Sequence, residues 1–258
     1  MTTQLWYGRR PTGYEADAIA KLRKELDAAN IPAHLFANFE VGGHEIDLFI
    51  VKPNGLFLVE LKRVGGSVVG AVNGEWKVLN GGGAYTLRGG GGENPYQQMR
   101  TQYRVLSEWL ERRKMDFLSP DRTNITRFRA RNYRERTLPR AQIRSFLAFY
   151  PQLPKGSQLE IDGPVKPVGF DELSALLRQT TKRVSLSEKE IVALAQSLHL
   201  TRWDGRGATQ PIRRLIQPAQ PWPSPKGMRA RAAWLSGLSA PGLRLTTPLQ
   251  PQPVLAGD

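Results

Sequence analysis

Two apolar runs, Ile46–Val51 and Leu56–Leu61, dominate the front half of the chain, and Pro53-Asn54-Gly55 separates them. Asn-Gly between apolar runs is the strongest short-range hairpin signal, so strands are expected at about 45–52 and 56–62. Residues 33–39 (Ala-His-Leu-Phe-Ala-Asn-Phe) predict another strand. Val68, Val69, Val72, Trp76 and Val78, set among Gly and Asn, predict a shorter strand or two within 67–79. Ahead of these, Ile19, Leu22 and Leu26 recur at helical spacing and predict a helix over 12–29, with Pro32 behind it. The glycine-rich stretch 80–92 reads as a mobile loop. Asn94 is a good N-cap, Pro95 fits the first turn, and Gln97 stands where a capping box would close, so a long helix should run to about Lys114. Arg144–Tyr150 reads as a strand stopped by Pro151, and 170–178 and 187–198 as two short helices, the second capped by Ser187. The order of helix, three or four strands, helix and strand defines an α/β arrangement with a mixed sheet.

The hairpin carries the chemistry. With Asn54 and Gly55 as the central turn residues, Phe49 faces Glu60 and Asp47 faces Lys62. Strand residues two apart share a face, so Asp47, Glu60 and Lys62 project from one side. Asp47 and Glu60 are then diagonal neighbours, roughly 7–8 Å apart at the backbone. Both faces of the hairpin are mostly apolar, as in a central, covered strand. Charges there cost several kcal/mol each unless paired or metal-bound, and a divalent cation between the two acids is one remedy. A cross-strand Asp47–Lys62 ion pair, with Glu60 turned to solvent, is the other. Glu15 on the first helix could supply a third carboxylate, although Thr12-x-x-Glu15 also reads as a capping box. Gln98 lies one turn into the later helix and by itself reads as an ordinary helix residue.

Composition narrows the metal. The chain has no cysteine, which excludes thiolate sites, and only His34, His44 and His199, which disfavours a histidine-rich zinc site. A cation would be held by oxygens, which favours Mg²⁺ or Mn²⁺. The net charge is +14. Residues 100–150 hold 13 basic and five acidic side chains, and 205–258 hold seven basic and one acidic. Such clusters commonly meet nucleic acid, although a charge run can also be a solvated surface. No signal-peptide pattern opens the chain and no run is long and apolar enough to span a membrane, so a cytoplasmic location is the default expectation. Residues 205–258 are rich in Pro and Arg, with little periodicity, and read as a disordered tail. Their Arg, Pro, Gly and Ala bias also matches a shifted reading frame in a GC-rich gene, which resequencing the locus would test.

Taken in order, Gly13-Tyr-Glu15, Gly43-His-Glu-Ile-Asp47, Asn54-Gly-Leu-Phe-Leu-Val-Glu-Leu-Lys62, Gly66-x-x-x-Gly70, Trp76, Asn94-Pro-Tyr-Gln-Gln98 and the strand ending at Tyr150 resemble the nuclease-related domain, NERD. That family is grouped with the PD-(D/E)XK nucleases. The resemblance implies a restriction-endonuclease-like αβββαβ core with a mixed central sheet, a divalent metal (Mg²⁺ or Mn²⁺) and phosphodiester hydrolysis, with DNA as the expected substrate. It implies Asp47 and Glu60 as the acidic pair, Lys62 as the lysine, Glu15 as the first-helix glutamate and ligand, and Gln98 as the later glutamine. Arg63-Val64 after Lys62 and the Arg-rich insertion at 119–143 depart from the pattern. Arg100, Arg104, Arg127 and Arg129 are the expected phosphate contacts, and Tyr96 and Tyr103 could stack on bases. The expected division is a nuclease-related domain over 1–155, a helical connector over 156–204 and the tail. Such domains often precede helicase or protein-kinase domains, so a DNA-processing or phage-defence context, a non-cleaving recruitment module and a truncated part of a longer protein all stay open.

Overall fold

Three consecutive runs in which almost every residue is apolar can be satisfied only in a sheet covered on both sides. They become β2 (His34–Val41), β3 (His44–Lys52) and β4 (Gly55–Arg63). The computed structural model describes residues 3–119, 143–161, 163–179 and 185–203. Arg127, Arg129, most of the Arg-rich insertion and the 205–258 tail lie outside them. The remaining strands are β1 (Gln4–Tyr7), β5 (Ser67–Ala71), β6 (Trp76–Asn80), β7 (Gly83–Leu87), β8 (Ile143–Tyr150), β9 (Gln158–Glu160), β10 (Val165–Gly169) and β11 (Thr201–Arg202). The helices are α1 (Gly13–Ala28), α2 (Pro95–Phe117), α3 (Phe170–Leu177) and α4 (Glu188–Ser197).

The main sheet has seven strands in the order β10-β8-β4-β3-β2-β1-β11. It is mixed: β2, β3 and β4 run antiparallel in sequence, while β8 lies parallel to β4 and β1 parallel to β2. One face buries Leu48, Ile50, Phe57, Val59 and Leu61 against α1 (Ala18, Ile19, Leu22, Leu26) and α3 (Phe170, Leu173, Leu177). The other buries Phe49, Val51, Leu56 and Leu58 against α2 (Met99, Leu106, Leu110) and α4 (Ile191, Leu194). Among the described residues no helix is long and apolar enough to cross a membrane.

The hairpin register differs from the expected one by two residues. Lys52 pairs with Gly55 and Val51 with Leu56, so Pro53 and Asn54, not Asn54 and Gly55, are the central turn residues. Proline pre-sets φ for the first central position and has no N–H to give a ladder. Gly55 instead opens β4 where a Cβ would stand 2.7 Å from the Phe57 ring. A slip of two leaves every side chain on its face; the ladder ends at Leu48–Val59, and continued by one pair it sets Asp47 opposite Glu60 rather than Lys62.

The glycine-rich stretch is not simply a loop. It contains β7, which completes a second sheet, β7-β6-β5-β9, and a 3₁₀ turn at Gly90–Gly92. Trp76 is fully buried there and donates to the Ala71 carbonyl at 2.8 Å. Residues 156–204, expected as a helical connector, carry β9, β10 and β11 besides α3 and α4, and two of those strands extend the main sheet.

Candidate functional site

Asp47, Glu60 and Lys62 come from the ends of β3 and β4 where these strands meet the N-terminal half of α2. Glu60 is 1% exposed, yet both its oxygens are occupied. Lys62 Nζ donates to Oε1 at 2.6 Å, and Gln102 Nε2 donates to Oε2 at 2.8 Å. Lys62 Nζ also reaches Gln98 Oε1 at 3.3 Å. Gln98 and Gln102 are one turn apart on α2, so they present together to β4. The ion pair that forms is therefore Lys62–Glu60, with Glu60 buried, and not Lys62–Asp47 with Glu60 in solvent.

The start of α2 is fixed by Asn94, whose side chain accepts from Gln97 N at 2.8 Å. Gln97 does not return the bond of a capping box. Its Nε2 donates instead to Val72 O at 2.9 Å, while Asn94 Nδ2 reaches Val72 O and Gly74 O. Helix α2 is thereby pinned to the small sheet. Gly89 lies directly on Gln98, where a Cβ would stand 2.6 Å from Gln98 Oε1.

Asp47 is partly buried. Its Oδ2 accepts the Leu61 N–H at 2.9 Å. Burial, and then the neighbouring Glu60 carboxylate, push its carboxyl well above the usual range. The Leu61 N–H and the Lys62 ammonium oppose that shift, and Glu15 adds to it. Tyr14, on α1, donates to Leu61 O at 3.2 Å. Its phenol is pushed up to about 12 by burial and then by Asp47, Glu15 and Glu60. Four anionic or potentially anionic groups thus share one small region, with one ammonium among them.

Glu15 does not close a capping box either. Thr12 makes no side-chain cap bond, and Glu15 Oε2 accepts from Asn38 Nδ2 at 2.8 Å. Among the described residues, no group of three or more His, Asp or Glu side chains stands close enough to hold a metal by itself. The donors present still suit a hard cation. They are all oxygens, and Asp47 is an acid whose negative charge is opposed on every side except by one N–H and one lysine. A divalent cation reverses that penalty.

Of the expected phosphate contacts, Arg100 and Arg104 lie on the outer side of α2. With Gln97, Thr101, Tyr103 and Pro164 they line an open cavity of ≈ 410 Å³. The Arg100 guanidinium stands 5.9 Å over the Tyr96 ring, and Arg104 is 4.0 Å from Glu108. His34, the first residue of β2, accepts from Trp6 Nε1 at 3.1 Å and meets Glu188, so its role is to tie α4 to β1 and β2.

Three polar residues at the site were missed in the sequence reading: Gln102, Tyr14 and Asn38. Gln102 could have been found four residues beyond Gln98, on the same helix face. Asn38 could have been found as the polar residue near the end of an otherwise apolar run.

A helix on each face of a mixed sheet, with an acid pair and a lysine at the ends of adjacent central strands, is the arrangement of a nuclease-type α/β domain. The family model of the nuclease-related domain, NERD, matches residues 12–149, more than half of the chain, and the chain belongs to that family. No curated protein and no solved structure matches it.

Proposed function

We propose that the protein is a metal-dependent phosphodiesterase that cleaves nucleic acid, with DNA as its substrate. The observation that carries this reading is Glu60. A carboxylate buried to 1% exposure, clamped by Lys62 and Gln102 beside an Asp47 that resists ionisation, is a poor way to stabilise a sheet. Replacing such buried charges by apolar groups is often neutral or stabilising, so their presence points to chemistry.

Asp47 and Glu60, with Glu15 alongside, would hold Mg²⁺ or Mn²⁺. When bound, the metal supplies Lewis-acid polarisation of the phosphate and lowers the pKa of attacking water. Lys62 keeps its ammonium directed into the site through Glu60 and Gln98, where it stabilises negative charge developing on the phosphoryl oxygens. Gln102 fixes the second oxygen of Glu60, and Gln98 fixes the direction of Lys62. Arg100 and Arg104 would engage phosphates along the strand, with little base preference. The test is incubation of purified protein with linear, nicked and supercoiled DNA, with and without Mn²⁺. Wild type should cut only with metal, and Asp47→Ala and Lys62→Ala should lose cleavage while remaining folded. Equal cleavage by all three proteins would defeat the assignment.

One observation favours a non-cleaving recruitment module: Glu60, Lys62, Gln98 and Gln102 already satisfy one another without any ligand. Calorimetry separates the readings, because no Mn²⁺ uptake at millimolar concentration would support the module.

A further inference from the structure

At Asn38 the β2 backbone departs from strand geometry. Its φ is 45°, although the ladder pairs on either side, Ala37–Leu48 and Phe39–Ile46, are intact. Asparagine enters this left-handed region more readily than other non-glycine residues, but inside a central strand it still comes at a cost to the ladder. The side chain adds a second cost. Asn38 is 5% exposed, and its Oδ1 is buried with no hydrogen-bond donor. An unsatisfied buried acceptor forfeits the hydrogen bond that water gives it in the unfolded chain. The amide cannot simply be turned over to repair this. Nδ2 donates to Glu15 Oε2 at 2.8 Å, and the reversed group would set oxygen against oxygen.

The location of these two costs is informative. The β2–β3 register places Asn38 opposite Asp47, and the β3–β4 register, continued by one pair, places Glu60 opposite Asp47 on its other side. Asn38, Asp47 and Glu60 therefore form one row across three adjacent strands. Glu15 is hydrogen-bonded to the first of them and raises the carboxyl pKa of the second. The described acids alone make no three-ligand group. What the row lacks is a neutral oxygen that fills a coordination position without adding negative charge, and side-chain amide oxygens serve hard cations in that way.

We infer that Asn38 Oδ1 is a ligand of the divalent cation held at Asp47 and Glu60. The same amide, through Nδ2, holds Glu15 in place beside it. This assignment rests on the metal site proposed above. It explains why a central strand keeps both a left-handed residue and a buried, unpaired carbonyl oxygen at this one position.

The test is Mn²⁺ affinity, read by electron paramagnetic resonance of free Mn²⁺, for wild type, Asn38→Gly and Asn38→Asp. Far-UV circular dichroism melts of the metal-free proteins are recorded alongside. Glycine accepts the positive φ and deletes the oxygen, so Asn38→Gly should bind Mn²⁺ ~10-fold or more weakly while still folding. Aspartate also tolerates this backbone region and keeps an oxygen of the same reach, but it gives up the Nδ2 donor to Glu15. Glycine gives up both, so Asn38→Asp should bind Mn²⁺ more tightly than Asn38→Gly. Wild-type affinity in Asn38→Gly, or equal weakening in the two variants, would overturn the assignment. If Asn38→Gly fails to fold, an Asn38 side-chain amide NMR signal that does not move when wild type takes up Mg²⁺ would overturn it instead. Absence of Mn²⁺ binding by wild type itself would overturn the underlying metal site, an outcome distinct from equal binding by wild type and the glycine variant.

Discussion

A carboxyl group held well above its ordinary range works against the fold that holds it, and Asp47 is such a group. In the folded chain it keeps its proton at pH values where the unfolded chain has already lost it. Stability therefore falls as pH rises from the ordinary carboxylate value through the raised folded one. The contribution is fully present below that window and absent above it. Asp47→Asn has no proton to lose and still offers an oxygen to the Leu61 N–H. Without metal, Asp47→Asn should melt above wild type at about pH 8 and level with it at about pH 3, where both forms are neutral. Each kcal/mol relieved corresponds to ~2–4 °C. Melting curves in chelator at the two pH values decide this, and excess Mn²⁺ should reverse the order by stabilising wild type alone. Gln102 behaves in the opposite way. Gln102→Met keeps the length of the side chain but removes the donor to Glu60 Oε2. The variant should lose about 1.5–3 kcal/mol, the usual worth of a hydrogen bond to a charged group. Urea denaturation measures it, and a change within error would show that Lys62 alone suffices for Glu60.

At the scale of elements, the site depends on how α2 is held against β4, and a glycine contributes to that hold. Gly89 has an ordinary backbone, φ −87°, so alanine there meets no conformational penalty. It would nevertheless set a Cβ 2.6 Å from Gln98 Oε1 and 2.9 Å from Gln98 Cβ. Gln98 must turn away, leaving Lys62 with Glu60 alone. Gly89→Ala should slow cleavage about 10-fold, equivalent to ~1.4 kcal/mol, and should add nothing further in a Gln98→Ala background. Additive losses would place the effect of Gly89 elsewhere. Local chemistry made the hairpin, the Asn94 cap and the apolar face of α1 legible in the sequence, because each is decided within a few residues. The acidic pair was legible for the same reason, and it survived a register error because a slip of two preserves the faces. Strands β1, β10 and β11 were not legible. They are short, and their partners lie far along the chain, as in β10 against β8 and β11 against β1. The bonds of Glu15 were likewise hidden. A local capping box and a bond to Asn38, 23 residues away, compete for the same carboxylate, and only the fold decides between them.

For the whole molecule, the question is how much chain the site needs. The family match stops at residue 149, and the sequence motifs alone place the end of the domain near 155. The packing argues for more. Beyond 155, β10 covers the edge of β8, Phe170, Leu173 and Leu177 of α3 are buried with α1, and Ile191 and Leu194 of α4 are buried with α2. Trp203 N donates to Leu5 O at 2.8 Å, which closes the far edge of the sheet. Fully burying one such aliphatic or aromatic side chain is worth ~1.5–3 kcal/mol, and a domain of ordinary stability has only about 5–15 kcal/mol in total. Losing five of them would remove an amount comparable to that whole margin. A chain ended at residue 155 should therefore fail to melt cooperatively, while one ended at residue 212, the limit of the first compact unit, should keep the wild-type transition and Mn²⁺ affinity. Thermal denaturation of the two truncated chains checks the first half and Mn²⁺ binding the second. A cooperative, wild-type-like melt from the 155-residue chain would mean that α1, α2 and the central strands are a sufficient core, and that α3 and α4 are additions to a domain already complete.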